Sequence, residues 1–461
     1  MTANEHRDAI VVGGGVAGLA AAVALAQAGA KVTLLERRPY IGGRAYSYDH
    51  PALDETIDSQ HVVLGCCTNI LDLARQAGIS DTIRWYDELT FLEPSGRRTL
   101  LNTSALPAPG HQSLSFLRAP MLDLRDKTAI ATGLMHFLRS YPADDTESFA
   151  SWLKRTGQTD RAIRHFWEPV VVGALNDTFD RCSVKYAGKV FHESFLRSPE
   201  AGRLGIPAAP LTEFFTPVVD LATRQGVDFK LKSGVERLEQ LPDNRWQVHA
   251  GGQLHTADSV ILATDFRQTQ ALTAALPSSA PISNFDKFIP APITTIHLWY
   301  DRDVTGLDHA VLLDTRIQWV FVKSRIRRWP VERGCYLELV ISASWPELEM
   351  NREAILNSAI TEFEAFFPAA KQAKLLKSGL LKEARATFSV TPGLDAFRPT
   401  QATQWPGLYF AGDWTATEWP STMEGAVRSG RLAAGAVAGD PNRFMAPELP
   451  ATGLMRWLSQ T

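Results

Sequence analysis

The first apolar run, Ala9-Ile10-Val11-Val12, is unbroken, as a strand buried on both faces requires. Gly13 to Gly18 then reads as a tight turn, and Leu19 to Ala28 as an alanine-rich helix that stops at Gly29. Lys31 to Glu36 supplies a second strand, so the N-terminus predicts one strand-helix-strand unit. From Asn69 to Trp167 the apolar spacing is mostly helical, clearest at Asn69–Gln76 and Lys127–Arg139, with a proline-rich break at Leu106–Gly110. Strand patterns return at Val227–Leu231, Trp246–Ala250 and Ser259–Ala263. Thr294–Tyr300 and Trp319–Lys323 lie far from the first unit and predict a second sheet. Leu408–Ala411 predicts a last short strand, and Met423–Val437 a helix rich in small residues.

Composition narrows this little. A chain of 461 residues exceeds one simple core and suggests two lobes. Its net charge of -3, from 47 basic and 50 acidic residues without long runs, leaves no footprint for nucleic acid. Cys66, Cys67, Cys182 and Cys335 lack the CxxC spacing of a zinc site, so no metal is expected and a reducing cytoplasm fits. Ala9 to Ala30 is apolar enough to resemble a membrane span, but its glycines suit a buried strand and helix with a turn between them.

The chemistry begins in that turn. Gly13-x-Gly15-x-x-Gly18 sits between a strand and a helix, where backbone N–H groups and the helix N-terminus can face a pyrophosphate. Glu36 follows Gly18 by 18 residues, at a strand end, where a carboxylate accepts hydrogen bonds from ribose hydroxyls. Gly42-Gly43-Arg44 adds a second glycine turn and a cation, which suits a long, doubly charged dinucleotide and favours FAD over NAD. Gly234-Val235-Glu236 could lay backbone against an adenine, and Gly412-Asp413 could hold a ribityl chain. The helix starting at Met423 would then stabilise negative charge on a reduced flavin. No second GxGxxG unit is present for a nicotinamide, so the electron donor is unidentified.

These residues, in this order, resemble the flavin amine oxidase and phytoene desaturase superfamily. Gln60-His61-Val62-Val63-Leu64-Gly65-Cys66, Trp167-Glu168-Pro169, Ala174-Leu175-Asn176, Ile206-Pro207 and Pro210-Leu211 are closer to its hydroxysqualene dehydroxylase branch, the squalene-associated FAD-dependent desaturases. So are His297 to Arg302, Gln318 to Phe321, Ala411 to Thr415 and Met423 to Gly430. One departure is that Asp58-Ser59-Gln60-His61 stands where that branch usually has a longer Asp-Asn-x-Gln-His stretch. The resemblance implies an α/β fold: a Rossmann-like FAD-binding domain of the GR2 type and a discontinuous, mixed helical and antiparallel-sheet substrate domain. The expected division is 1–85, 212–285 and 400–440 for FAD, 86–211 and 286–399 for substrate, and 441–461 as a C-terminal tail.

It further implies FAD contacts at Gly13, Gly15, Gly18, Glu36, Gly43, Arg44, Val235, Gly412, Asp413 and Met423, with Gln60 and His61 facing the flavin ring. The implied reaction is reductive dehydroxylation of hydroxysqualene to squalene, for hopanoid synthesis, with hydride passing from reduced FAD to carbon. It demands an acid, and His61, then Asp58, are the candidates, ahead of Glu168. Glycines do not reveal direction, so an oxidative isoprenoid desaturase stays open, as do an amine oxidase, a tetrapyrrole-type oxidase and a flavin-binding scaffold. A hydrophobic C30 substrate would dissolve in bilayers. Leu454, Met455, Trp457 and Leu458, beside Arg456, accordingly suggest peripheral contact with the inner face of the cytoplasmic membrane, near other squalene-pathway enzymes.

Overall fold

A computed structural model describes residues 8–277 and 285–458. Its first layer is a parallel sheet of five strands: β1 (Asp8–Val12), β2 (Lys31–Leu35), β3 (Asp228–Lys230), β4 (Ser259–Leu262) and β5 (Leu408–Phe410), in the order β3-β2-β1-β4-β5. Three segments far apart in the chain therefore meet in one sheet. Parallel sheets need cover on both faces. One cover is the pair α1 (Val16–Gln27) and α2 (Met423–Val437), both rich in small residues because their backbones touch. A Cβ on Gly430 would lie 2.1 Å from the Ala17 carbonyl oxygen. The apolar stretch from Ala9 to Ala30 is thus a strand and a helix, and no helix among the described residues is long and apolar enough to cross a membrane.

Helix α1 starts three residues earlier than its apolar pattern suggests, so Gly18 belongs to its first turn rather than to the loop. Leu124–Met135 also starts early, because Asp123 and Asp126 form a reciprocal capping box. The expectation of a mostly helical run from Asn69 to Trp167 needs a larger correction. Ile83–Tyr86 pairs with Leu204–Pro207, while Glu88–Leu92 and Arg98–Asn102 form a hairpin around Gly96. Arg98–Asn102 alternates between exposed and buried positions, a period of two that outweighs the helical spacing on either side.

That hairpin completes a seven-stranded sheet, in the order Leu375–Phe388, Pro290–Tyr300, Cys335–Ser342, Trp319–Phe321, His309–Leu312, Glu88–Leu92, Arg98–Asn102. Neighbours run antiparallel except His309–Leu312 and Glu88–Leu92. The two predicted strands near residues 294 and 319 are therefore in one sheet, as expected. A three-stranded meander, Val235–Gln240, Trp246–Ala250 and Gln253–Ala257, lies beside β1. One large cavity is walled both by the C-terminal ends of β1 and β2 and by residues of the seven-stranded sheet.

Candidate active site

The cavity measures about 910 Å³, near the upper end of what ligand pockets span, roughly 300–1,000 Å³. Gly13, Gly15, Glu36, Gly43, Arg44, Gln60, His61, Val235, Gly412, Asp413 and Met423 all line it. Gly18 does not: it faces the other way, and a Cβ there would lie 1.9 Å from the Gly13 carbonyl oxygen. Its place is to let α1 rise against the loop.

The fit to a dinucleotide can be judged from donors and acceptors. Gly15 begins α1 without any side-chain cap, leaving first-turn N–H groups for an anion. Glu36 accepts from Gly14 N at 2.7 Å and from Arg38 N at 2.8 Å, so it braces the loop as well as lining the cavity. Arg44 is not free to neutralise a phosphate alone, because its guanidinium lies 2.5 Å from Asp413. Asp413 also accepts from the Ser421 hydroxyl. Gln60 Oε1 is buried without a hydrogen-bond partner, an acceptor left for a bound group. Backbone wall, uncapped helix end and orphan acceptor fit FAD.

Gln60 and His61 are placed by an ionic cluster that sequence reasoning missed. Gln60 N donates to Glu338 Oε1 at 2.8 Å. The Lys323 ammonium lies 2.9 Å from Glu338 and 2.7 Å from Asp58, and Arg327 closes on Asp58 at 3.0 Å. All four are buried. Burial raises the Glu338 carboxyl, whereas Asp58, despite its burial, is held down to about 2 by Lys323, Arg327 and the Leu211 N–H. A carboxylate held between two cations is a poor proton donor near neutral pH, which weakens Asp58 as the candidate acid.

His61 Nδ1 lies 2.9 Å from the Ser59 carbonyl, which can only accept, so Nδ1 carries the hydrogen and Nε2 the lone pair. Burial lowers its pKa against the opposing effect of the Ser59 carbonyl, which favours the neutral ring. In this geometry His61 is an acceptor on the cavity wall rather than a proton donor. Glu168 is raised by burial but lies off the cavity, and His297 is a core residue bonded to Tyr336 at 2.9 Å. Arg398 is the other missed organiser. Its buried guanidinium donates to the carbonyls of Asp413, Trp414, Thr415 and Trp419, fixing the loop between β5 and α2. Neither has a local signature: Lys323 opens an ordinary basic stretch with Arg325, Arg327 and Arg328, and Arg398 is a single cation before a proline.

Similarity to known proteins gives the family and the fold. The 15-cis-phytoene desaturase of Solanum lycopersicum is 26% identical over 454 residues, covering 94% of this chain and 78% of its own. The probable zeta-carotene desaturase of Synechococcus elongatus is 26% identical over 473 residues, covering 93% and 98%. Among solved structures, an oxidoreductase from Methanosarcina mazei superposes with a TM-score of 0.72 at 18% identity, covering 94% of this chain and 100% of its own. The cyclohexylamine oxidase of Brevibacterium oxydans gives 0.67 at 19% identity, covering 94% and 99%; at such identities these two establish fold. Residues 16–438 match the family described as flavin containing amine oxidoreductase, and the chain belongs to that family as an FAD-dependent oxidoreductase.

Proposed function

We propose that this enzyme reductively dehydroxylates a C30 isoprenoid alcohol, hydroxysqualene, to squalene. The observation that carries the reading is that three carboxylates of the cavity wall are already ion-paired. Asp58 is bound by Lys323 and Arg327, Glu193 by Arg197, and Asp413 by Arg44. A cationic amine would find these acids already engaged, whereas a neutral hydrocarbon chain needs no counter-ion. Val63, Leu64, Ala174, Val190, Ile293 and Leu381 give it apolar wall. The stretch Gln60 to Cys66 and the other segments shared with the dehydroxylase branch support the same substrate.

FAD supplies a two-electron carrier that can donate or accept hydride at carbon. Gly13, Gly15, Glu36, Gly43, Arg44, Val235, Gly412, Asp413 and Met423 would hold it, and Gln60 Oε1 offers an acceptor. The second reading, an isoprenoid desaturase, draws support from the carotenoid desaturase relatives. Anaerobic incubation of photoreduced enzyme with hydroxysqualene decides between them. One squalene per reduced flavin is expected. No squalene from fully reduced holoenzyme, together with oxidation of squalene or phytoene by the oxidised form, would replace dehydroxylation with desaturation.

Peripheral membrane contact belongs to the same proposal. Met455 is fully buried and Leu458 packs on the core, so the tail does not present all four apolar residues outward. Leu454 and Trp457 are 60% and 78% exposed and support contact through these two side chains. Trp457→Asp is expected to cut sedimentation with anionic liposomes at least twofold without altering flavin content, since an indole favours the bilayer interface. Unchanged sedimentation would remove the tail from membrane contact.

A further inference from the structure

With Asp58 held between two cations and His61 accepting on the cavity wall, the proposed reaction calls for a proton donor elsewhere on that wall. We infer that Lys189 is that donor and that, with Tyr141, it forms the site for the substrate's hydroxyl group; this rests on the dehydroxylation reading above. Lys189 is 7% exposed and lines the cavity. Its Nζ donates to the Tyr141 hydroxyl at 2.9 Å and lies 5.1 Å from the centre of the Trp419 ring. Among the described residues no carboxylate comes within 4.0 Å of that nitrogen. Buried ammonium groups are ordinarily paired, because an unpaired charge in low dielectric is costly. Here one hydrogen bond and aromatic faces stand in for the counter-ion, and the ammonium's remaining N–H donors are open to a ligand.

The surroundings set this group in the same cavity as the residues assigned to FAD. Trp419 is itself on the cavity wall and leads directly into Ser421, Thr422 and Met423 at the start of α2. Beyond Lys189 the helix Val184–Val190 widens over Phe191–Leu196 into a π-turn, a distortion common at functional sites. Ser194 in that turn meets Cys66 at 3.5 Å, which brings the Lys189 wall beside the segment from Gln60 to Cys67.

The step balances without another reactant. The C–O bond breaks, its oxygen takes a proton from the Lys189 ammonium and leaves as water, and the carbon takes hydride from reduced FAD, which ends oxidised. The neutral amine left behind regains its proton from bulk water through the half-buried Tyr141 hydroxyl.

Two measurements test this. Titration of oxidised holoenzyme with hydroxysqualene and with squalene in micelles, read as flavin absorbance change, needs no turnover. The wild type is expected to prefer the alcohol by roughly tenfold or more, the usual weight of a hydrogen bond to a charged group, and Lys189→Met to lose that preference. In anaerobic single turnover with photoreduced enzyme, Lys189→Met should form squalene roughly 100-fold more slowly or worse, at unchanged flavin content. Folding should survive, because replacing a buried charge by an apolar side chain of similar volume is often neutral. Lys189→Arg should keep the alcohol preference but not the rate, since guanidinium does not give up its proton. A wild type that makes no squalene overturns the dehydroxylation reading and this one with it. A wild type that does, beside a Lys189→Met enzyme keeping either its rate or its preference, overturns only the assignment of Lys189.

Discussion

Lys323→Met is expected to destabilise the protein by about 3–5 kcal/mol, the usual cost of removing one partner from a buried ionic group. Lys323 joins Asp58 to Glu338 in that cluster, at 2.7 and 2.9 Å, and its loss would leave Glu338 without its cation. Urea unfolding at pH 7 measures the effect, and a loss below about 1 kcal/mol would show that water or rearrangement satisfies these carboxylates. The same cluster predicts a pH dependence. Asp58 is depressed to about 2 in the fold, against about 3.9 in an unfolded chain. A depressed carboxyl stabilises fully above the unfolded value, so its contribution is present above about pH 4 and disappears as pH falls through about 2. Asp58→Asn should remove this part of the acid sensitivity, and an unaltered slope between pH 4 and 2 would count against it.

Gly18→Ala is expected to cost about 1–3 kcal/mol of stability, as overpacking does, and to weaken FAD binding by more than tenfold. The added Cβ would sit 1.9 Å from the Gly13 carbonyl oxygen, so either α1 or the glycine loop must move. Both hold the cofactor wall: Gly13 and Gly15 line the cavity, and α1 starts directly after Gly15. Gly29→Ala is the control, because nothing lies within 4 Å of a Cβ there and only its φ of +86° is strained. FAD titration of the refolded apoproteins should separate the two. Equal FAD affinity in both variants would mean that the loop does not depend on the packing of α1.

The fold was legible where local pattern and burial agree. Ala9–Val12 is unbroken because it is a central parallel strand, and the alanines of α1 and the glycines of α2 follow from backbone contact between the helices. The pattern misled around residues 83–102, where three short strands, Ile83–Tyr86, Glu88–Leu92 and Arg98–Asn102, lie between longer helical stretches. Short elements hold too little periodicity to be read against such neighbours.

The sequence by itself determined the dinucleotide loop, the acid at the end of β2 and the second glycine turn. All three lie within 32 residues, from Gly13 to Arg44, and their spacing follows from one local strand-helix-strand unit. Only tertiary structure decided which acids could carry a proton. Asp58 is separated from Lys323 by 265 residues and from Arg327 by 269, and Lys189 is 48 from Tyr141. A side chain's charge state is set by the solvent it loses and the charges brought next to it. Both are consequences of packing between distant segments, which no spacing along the chain records.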